Sequence, residues 1–394
     1  MFSQRVPGEL VANRLSTAAA ALRAEGVPIV DLTESNPTRA GFAYTPALLA
    51  PLADARGLKY EPRARGLAAA RRAVAADYAR RGIAIDAHRI VLTASTSDAY
   101  GLLFKLLADA GDEVLVPRPS YPLFDHLTRF DALVARPYDL DYHGAWTIDF
   151  GSVEAALSSR TRAVLLVSPN NPTGSFVKQA ELDRMAALCA PRGIALIADE
   201  VFADYELEPG AAASAGRVLE RDDVLGFALG GLSKSIGLPQ LKLGWLAVAG
   251  PGALVADALE RLELVCDTYL SVSTPVQAAA SELLAMGVAV RAQIATRVTG
   301  NFQHLVQRAA AAAACRVLRT EGGWSAVLRV PALEPEEDLV LDLLHRYHVL
   351  AHPGYFFDFA RESYLVVSLL PPPLTFEAGV ESILRHFDCS VETA

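Results

Sequence analysis

Through the middle of the chain, short apolar runs alternate with stretches whose apolar residues recur at helical spacing. Ile90–Thr93 precedes a helical pattern over Ser97–Ala108, and Glu113–Val116 follows it. Ala163–Val167 leads into a helical Gln179–Cys189, and then come Ile194–Ala198, Val224–Ala228 and Trp245–Val248. Strand-like runs joined by helices are the pattern of an α/β unit with a largely parallel sheet. After about Pro275 the pattern turns long and helical through Ala314, then breaks into short strands around Ala326–Val330, Val349–His352 and Tyr364–Leu369. That change predicts a connecting helix and a smaller α+β unit, which an N-terminal helical segment and Ile29–Leu32 are expected to join.

Several of the predicted strands end in polar clusters: Thr93–Ser97, Ser168–Gly174, Asp199–Tyr205 and Gly230–Lys234. Ligands in open α/β sheets bind beside the carboxyl ends of the strands, so these clusters are candidates for one shared site. Composition narrows the ligand class. With 36 Lys and Arg against 45 Asp and Glu, the net charge of −9 leaves no broad basic surface for nucleic acid or anionic lipid. The apolar stretch Leu225–Gly250 is interrupted by Lys234, Lys242 and several glycines, so it is not read as a membrane span. Charges spaced along the first thirty residues, without a continuous apolar segment, point to a cytoplasmic protein. Cys189, Cys266, Cys315 and Cys389 lie far apart, which predicts reduced thiols and no metal site.

Three clusters carry the chemistry. Ser168-Pro169-Asn170-Asn171-Pro172-Thr173-Gly174 is a tight turn after a strand, and an Asn there also offers a fixed donor to a ligand oxygen. Asp199 closes an apolar strand, where a carboxylate needs a cationic or hydrogen-bonding partner. Lys234, in Gly230-Gly231-Leu232-Ser233-Lys234-Ser235, is a candidate amine nucleophile with a lowered pKa. In that order along the chain, and with Lys242-Leu243-Gly244 after them, these motifs resemble the pyridoxal-phosphate-dependent class I/II aminotransferases of fold type I. The resemblance runs from about Asn36 to Ser368.

The resemblance implies a large domain over 41–289 with a mostly parallel seven-stranded sheet flanked by helices. A small α+β domain would be built from 1–40 and 290–394. Lys234 would bond the aldehyde of pyridoxal 5'-phosphate and then shuttle the proton at the substrate's Cα. Asp199 would keep the ring nitrogen protonated, and Asn171 would donate to the phenolic oxygen. Ser95, Thr96 and Ser97, at a strand-to-helix junction, would cradle the phosphate with Ser233 and Lys242. Tyr121 would stack on the ring. Tyr60 would reach the cofactor of a neighbouring subunit, so the active site would require a homodimer.

Two positions depart from the family. Phe202 stands where a Tyr usually serves the phenolic oxygen, which predicts a raised pKa for the lysine–cofactor linkage. Val366, in Tyr364-Leu365-Val366-Val367-Ser368, stands where an Arg usually clamps the substrate α-carboxylate. Asn36 and Arg361 are the remaining candidates for that contact, and the aromatic run His352–Phe357 is a candidate wall of the substrate pocket. The expected activity is transfer of an amino group from an amino acid to a 2-oxo acid by a ping-pong route. A carbon–sulfur β-lyase is the alternative, kept open by the missing arginine. A non-catalytic ligand-sensing domain is the least favoured reading, because the small-domain arm begins almost at once and Lys234, Asp199 and Asn171 are all kept.

Overall fold

The computed structural model describes residues 1–8, 11–312, 314–361 and 363–391, with side chains through residue 388. Its strands, numbered in chain order, are β1 (Val30–Asp31), β2 (Ile90–Thr93), β3 (Glu113–Arg118), β4 (Val134–Tyr142), β5 (Trp146–Ile148), β6 (Thr161–Val167) and β7 (Ala195–Asp199). They continue with β8 (Gly226–Gly231), β9 (Gly244–Ala249), β10 (Arg316–Val317), β11 (Ser325–Arg329), β12 (Val349–Leu350), β13 (His352–Pro353) and β14 (Tyr364–Ser368).

The main sheet has eight strands in the order β2-β9-β8-β7-β6-β3-β4-β5. Its central run from β8 to β4 is parallel, whereas β9 is antiparallel to both its neighbours and β5 to β4. The expected mostly parallel sheet is therefore present, with one strand more than seven. Alternate residues of a central strand enter opposite cores: Ala195 and Ile197 face one apolar cluster, Leu196 and Ala198 the other. A strand covered on both faces reads as a continuous apolar run, which is why β6 and β7 are legible in the sequence. In contrast, β4 lies near an edge with Tyr138 as its only buried residue, so no such run marks it.

The long helix Thr274–Ala311 spans two cores. Val276 to Leu284 pack beside β2 and β9, while Val290 to Ala309 pack into the cluster of the smaller unit. Its length and hydropathy would suit a membrane span, a feature not singled out from sequence, but half of its most apolar window is buried inside the protein. Within the smaller unit, β10-β11-β14-β13 form an antiparallel sheet, and β1 pairs in parallel with β12. Helices Arg14–Ala24, Glu336–Tyr347 and Pro373–Val391 cover them, so both chain ends contribute. Cys189, Cys266 and Cys315 are buried and free, and the Cys389 side chain lies outside the described residues.

Candidate active site

Because β2, β6, β7 and β8 run the same way, their carboxyl ends meet at one side of the sheet, and β9 starts there. Gly244 of β9 is paired with both Thr93 and Gly231. Above this edge lies a cleft of about 360 Å³. It brings together Ser95, Thr96, Ser97, Tyr121, Asn171, Asp199, Ser233, Lys234 and Lys242.

Asp199 ends β7 and is buried. Its carboxylate accepts a hydrogen bond from the Tyr100 hydroxyl at 3.0 Å and another from the Val201 backbone N–H at 3.1 Å. Burial nonetheless dominates and pushes the carboxyl up to about 6; these two hydrogen bonds and the Lys234 charge pull it partly back. Lys234 shows the opposite displacement. Desolvation lowers its ammonium from the ordinary 10.5 to about 8, against the pull of Asp199. The Lys234 Nζ lies 4.9 Å from the Trp324 ring centroid and 5.6 Å from that of Phe202.

The lysine's backbone is anchored independently of its side chain. The Tyr205 hydroxyl donates to the Lys234 carbonyl at 2.6 Å, and Arg291 Nε donates to the Ser235 carbonyl at 2.6 Å. Arg291 is itself paired with Asp77 and Asp204. The amine is thus presented by a fixed turn.

A test of the lowered pKa follows. In the cofactor-free protein, Lys234 is neutral in the fold but protonated in the unfolded chain between about pH 8 and 10.5. The unfolded state binds the extra proton, so stability is expected to rise with pH across this window, by roughly 3 kcal/mol in total. Urea denaturation of the cofactor-free protein at pH 8 and pH 10 should show this rise, and Lys234→Met should abolish it; equal slopes in the two proteins would refute the burial cost assigned here.

At the other end of the cleft, Ser95 caps the helix Thr96–Leu107, its Oγ accepting from the Asp98 N–H at 3.1 Å while Asp98 accepts from the Ala94 N–H at 2.9 Å. That capping leaves the Thr96 and Ser97 hydroxyls uncommitted at a helix N-terminus, where an anion is favoured. Lys242 stands beside them in the left-handed region at φ 53°. A lysine rarely adopts that backbone, and such strain persists where the surroundings hold it. At Gly244 a Cβ would come within 3.0 Å of Thr93 Oγ1 and of the Ser95 carbonyl carbon. Only glycine lets the strand approach the loop this closely.

A second wall comes from the smaller unit. Gly174, at φ 71°, leaves room for the segment after Leu318: a Cβ there would meet Thr320 Cγ2 at 2.3 Å and the Gly322 carbonyl oxygen at 2.5 Å. Glu321, buried, accepts from the Phe176 N–H at 2.9 Å and pairs with Lys178 at 2.5 Å. This docking sets Trp324 and Ser325 over the cleft, with Ser368 opposite Ser325 across the β11–β14 ladder. Ser325 Oγ donates to Asn171 Oδ1 at 3.3 Å, so the Asn171 amide nitrogen is the end left to serve a ligand oxygen.

Other expected residues are placed elsewhere. Tyr60 is 71% exposed and does not line the cleft. Asn36 does not line it either, because its Oδ1 accepts from both the N–H and the hydroxyl of Thr38 in a local turn; Ser35 takes the position. Arg361 is exposed, also away from the cleft. Val366 is buried among Trp146, Leu318, Val327 and Phe357. Of the run His352–Phe357, Phe357 and, in part, Phe356 join that apolar packing while Tyr355 is exposed, and none of the run lines the cleft. Tyr100, Trp324 and Ser325 escaped sequence reasoning. Tyr100 occupies an ordinary core position of its helix, and only the glycine pair Gly322-Gly323 hinted at a close approach ahead of Trp324.

The arrangement fits pyridoxal phosphate. The helix N-terminus with Lys242 suits its phosphate, the partly desolvated amine its aldehyde, and the buried carboxylate its ring nitrogen. Comparison with known proteins agrees. The family model for aminotransferase class I and II matches residues 28–378. An alanine aminotransferase of Mycobacterium tuberculosis is 28% identical over 388 residues, 93% of this chain and 87% of its own length. The S-alkyl-thiohydroximate lyase SUR1 of Arabidopsis thaliana is 31% identical over 197 residues, 50% of this chain and 42% of its own. Among solved structures, the alanine aminotransferase of Pyrococcus furiosus superposes with a TM-score of 0.85 at 23% identity, covering 95% of this chain and 96% of that one, a likeness of fold. With most of its length matched by the family model and its strand ends assembled into this cleft, the chain belongs to the class I and II aminotransferases.

Proposed function

We propose that the protein binds pyridoxal 5'-phosphate at Lys234 and transfers an amino group from an amino acid to a 2-oxo acid. The observation that carries this reading is one cleft that joins the Lys234 amine, the buried Asp199 carboxylate and the helix N-terminus at Ser95–Ser97 beside Lys242, where desolvation lowers the amine to about 8 and raises the carboxyl to about 6. When bound, the cofactor supplies an aldehyde that takes up the amino group and a ring that spreads the charge left at the substrate's Cα. Lys234, its ammonium lowered to about 8, would bond that aldehyde and, once released, would carry the proton at the substrate's Cα. Asp199 would hold a proton on the ring nitrogen, Asn171 would donate to the phenolic oxygen, and Tyr121 would cover a ring face. Ser95, Thr96, Ser97, Ser233 and Lys242 would hold the phosphate end. With Phe202 offering no hydroxyl, Asn171 would serve the phenolic oxygen alone.

A purified holoenzyme should show a visible band that individual amino acids bleach and a 2-oxo acid restores. Release of ammonia with an oxo acid, and no amino group recovered on the acceptor, would instead support the eliminating reading.

The working unit proposed is a homodimer in which Tyr60 of one subunit reaches the phosphate bound by the other. Support comes from the exposed apolar side chains Leu49, Leu58 and Tyr60, which lie close together in sequence and lack cover in the single chain. Mixed dimers test it. Tyr60→Ala and Lys234→Ala proteins, each impaired alone, should recover about a quarter of wild-type activity when co-refolded at equal amounts, since each mixed dimer holds one intact site. No recovery beyond the sum of the two variants would rule out the shared site.

A further inference from the structure

We propose that Tyr100 is a positioning residue of amino transfer: its hydroxyl keeps the Asp199 carboxylate ionised and fixed in the cleft, so that Asp199 can hold a proton on the cofactor's ring nitrogen. The proposal rests on the aminotransferase reading and gives a role to a residue that none of the sequence motifs contains.

A buried carboxylate can fail its partner in two ways, by taking up a proton or by turning aside. Asp199 is 8% exposed and has one donor on each oxygen: the Val201 N–H on Oδ1 at 3.1 Å and the Tyr100 hydroxyl on Oδ2 at 3.0 Å. Both favour the ionised form. The first donor is backbone and comes with the turn after β7. The second comes from a side chain 99 residues away in the chain, so it alone depends on side-chain identity. Of the charged groups around Asp199, Lys234 also favours the carboxylate, whereas Glu200, paired with Arg81 at 2.9 Å, opposes it. Lys234 is the reacting amine and its charge changes with the reaction. Tyr100 stays a neutral donor throughout, because burial pushes its own ionisation well above the ordinary range.

Packing at this position asks for no hydroxyl. Tyr100 lies in the same apolar cluster as Leu103 and Phe104 of its own helix, and a hydroxyl buried there loses hydration that only the bond to Asp199 offsets. A phenylalanine would fill the same space at lower cost. The hydroxyl is therefore explained by the carboxylate it meets.

The ring is held so that this oxygen stays at Asp199. It meets Phe104 at 5.9 Å and Phe124 edge-on at 5.5 Å, and Phe124 in turn meets Tyr121 edge-on at 5.8 Å. The helix Thr96–Leu107 that carries Tyr100 also begins at the phosphate end of the cleft. Thr96 and Tyr100 are one turn apart, about 6 Å along the axis at 1.5 Å per residue. One rigid element thus carries a hydroxyl for the phosphate end and the hydroxyl that fixes the ring-nitrogen partner, and it sets their separation.

Tyr100→Phe keeps the ring and removes the hydroxyl, and a double-mutant cycle with Asp199→Asn isolates what the hydroxyl does. In the cofactor-free protein, the stability that the wild type loses between about pH 4 and 6 should in Tyr100→Phe be lost up to about pH 7. The sign follows from the lost donor: without it the buried carboxyl binds its proton about tenfold more tightly, so the folded state keeps that proton to higher pH. In the Asp199→Asn background the same change should leave the pH profile where it was. On the holoenzyme, Tyr100→Phe should lower kcat about tenfold while KM for the amino acid moves by less than about threefold, and the double variant should be no slower than Asp199→Asn alone. A purely structural role gives equal losses with Asp or Asn at 199 and no displacement of the pH window, and either result would overturn the proposal. If amino acids bleach the cofactor band but the loss is independent of Asp199, the aminotransferase reading stands and this inference falls. If none bleaches it, that reading fails and takes the role of Tyr100 with it.

Discussion

Replacement of Lys234 by alanine is expected to remove the visible band of the bound cofactor and to lower amino transfer by about 10⁴-fold or more. Two separate losses combine in this variant. The amine that would bond the aldehyde disappears, and with it the group beside Phe202 and Trp324 that would carry a proton at the substrate's Cα. The fold should survive, because the turn bearing Lys234 is held through backbone carbonyls by Tyr205 and Arg291. Pyridoxal phosphate should still bind, more weakly, through its phosphate end. Equilibrium dialysis, absorbance and product formation together read these effects. Retention of the band, or of a rate within tenfold of wild type, would remove Lys234 from the mechanism.

Asp199→Asn should be the second most damaging change, lowering amino transfer by roughly 10³-fold, the scale of losing one buried electrostatic partner of the reacting system. The amide keeps the shape, and its one oxygen can still accept from either Tyr100 or the Val201 N–H, so packing is preserved. What it cannot do is favour a proton on the ring nitrogen. The same variant carries a signature in the cofactor-free protein. Burial raises the Asp199 carboxyl from 3.8 to about 6, so between those pH values the fold retains a proton that the unfolded chain has released. Stability contributed by that proton is present below about pH 4 and lost as pH rises to 6, by roughly 3 kcal/mol. Asp199→Asn should flatten that part of the pH–stability curve. A curve unchanged by the substitution, with activity also within tenfold, would mean that Asp199 is neither desolvated nor in contact with the cofactor.

These two residues were legible before any coordinates because they sit at the ends of strands covered on both faces. Such strands advertise themselves as apolar runs, and a polar residue that closes one must lie at the sheet's carboxyl edge. Asn171 and Ser95 follow strands in the same way, and Lys242 precedes the antiparallel β9 at that edge, so all of them reach one cleft. The expectation was weaker wherever the residue belonged to a loop. Asn36 and Ser35 are neighbours with similar side chains, and only the turn that commits Asn36 to Thr38 decides which of them faces the cleft.

By itself, the sequence determined the α/β class, the order of the strand-end clusters, and the chemical types available: an amine, a carboxylate, an amide, hydroxyls and no arginine at Val366. These follow from local periodicity and from side-chain chemistry, which do not depend on distant partners. The tertiary structure alone decided the energetics and the second wall. The shifts at Lys234 and Asp199 come from desolvation, and desolvation exists only once the cleft closes over both groups. Trp324 and Ser325 reach the site through the contact between Gly174 and the segment around Gly322, and Ser368 through its register with Ser325. Contacts between segments so far apart along the chain are set by packing of the whole, so no local pattern records them.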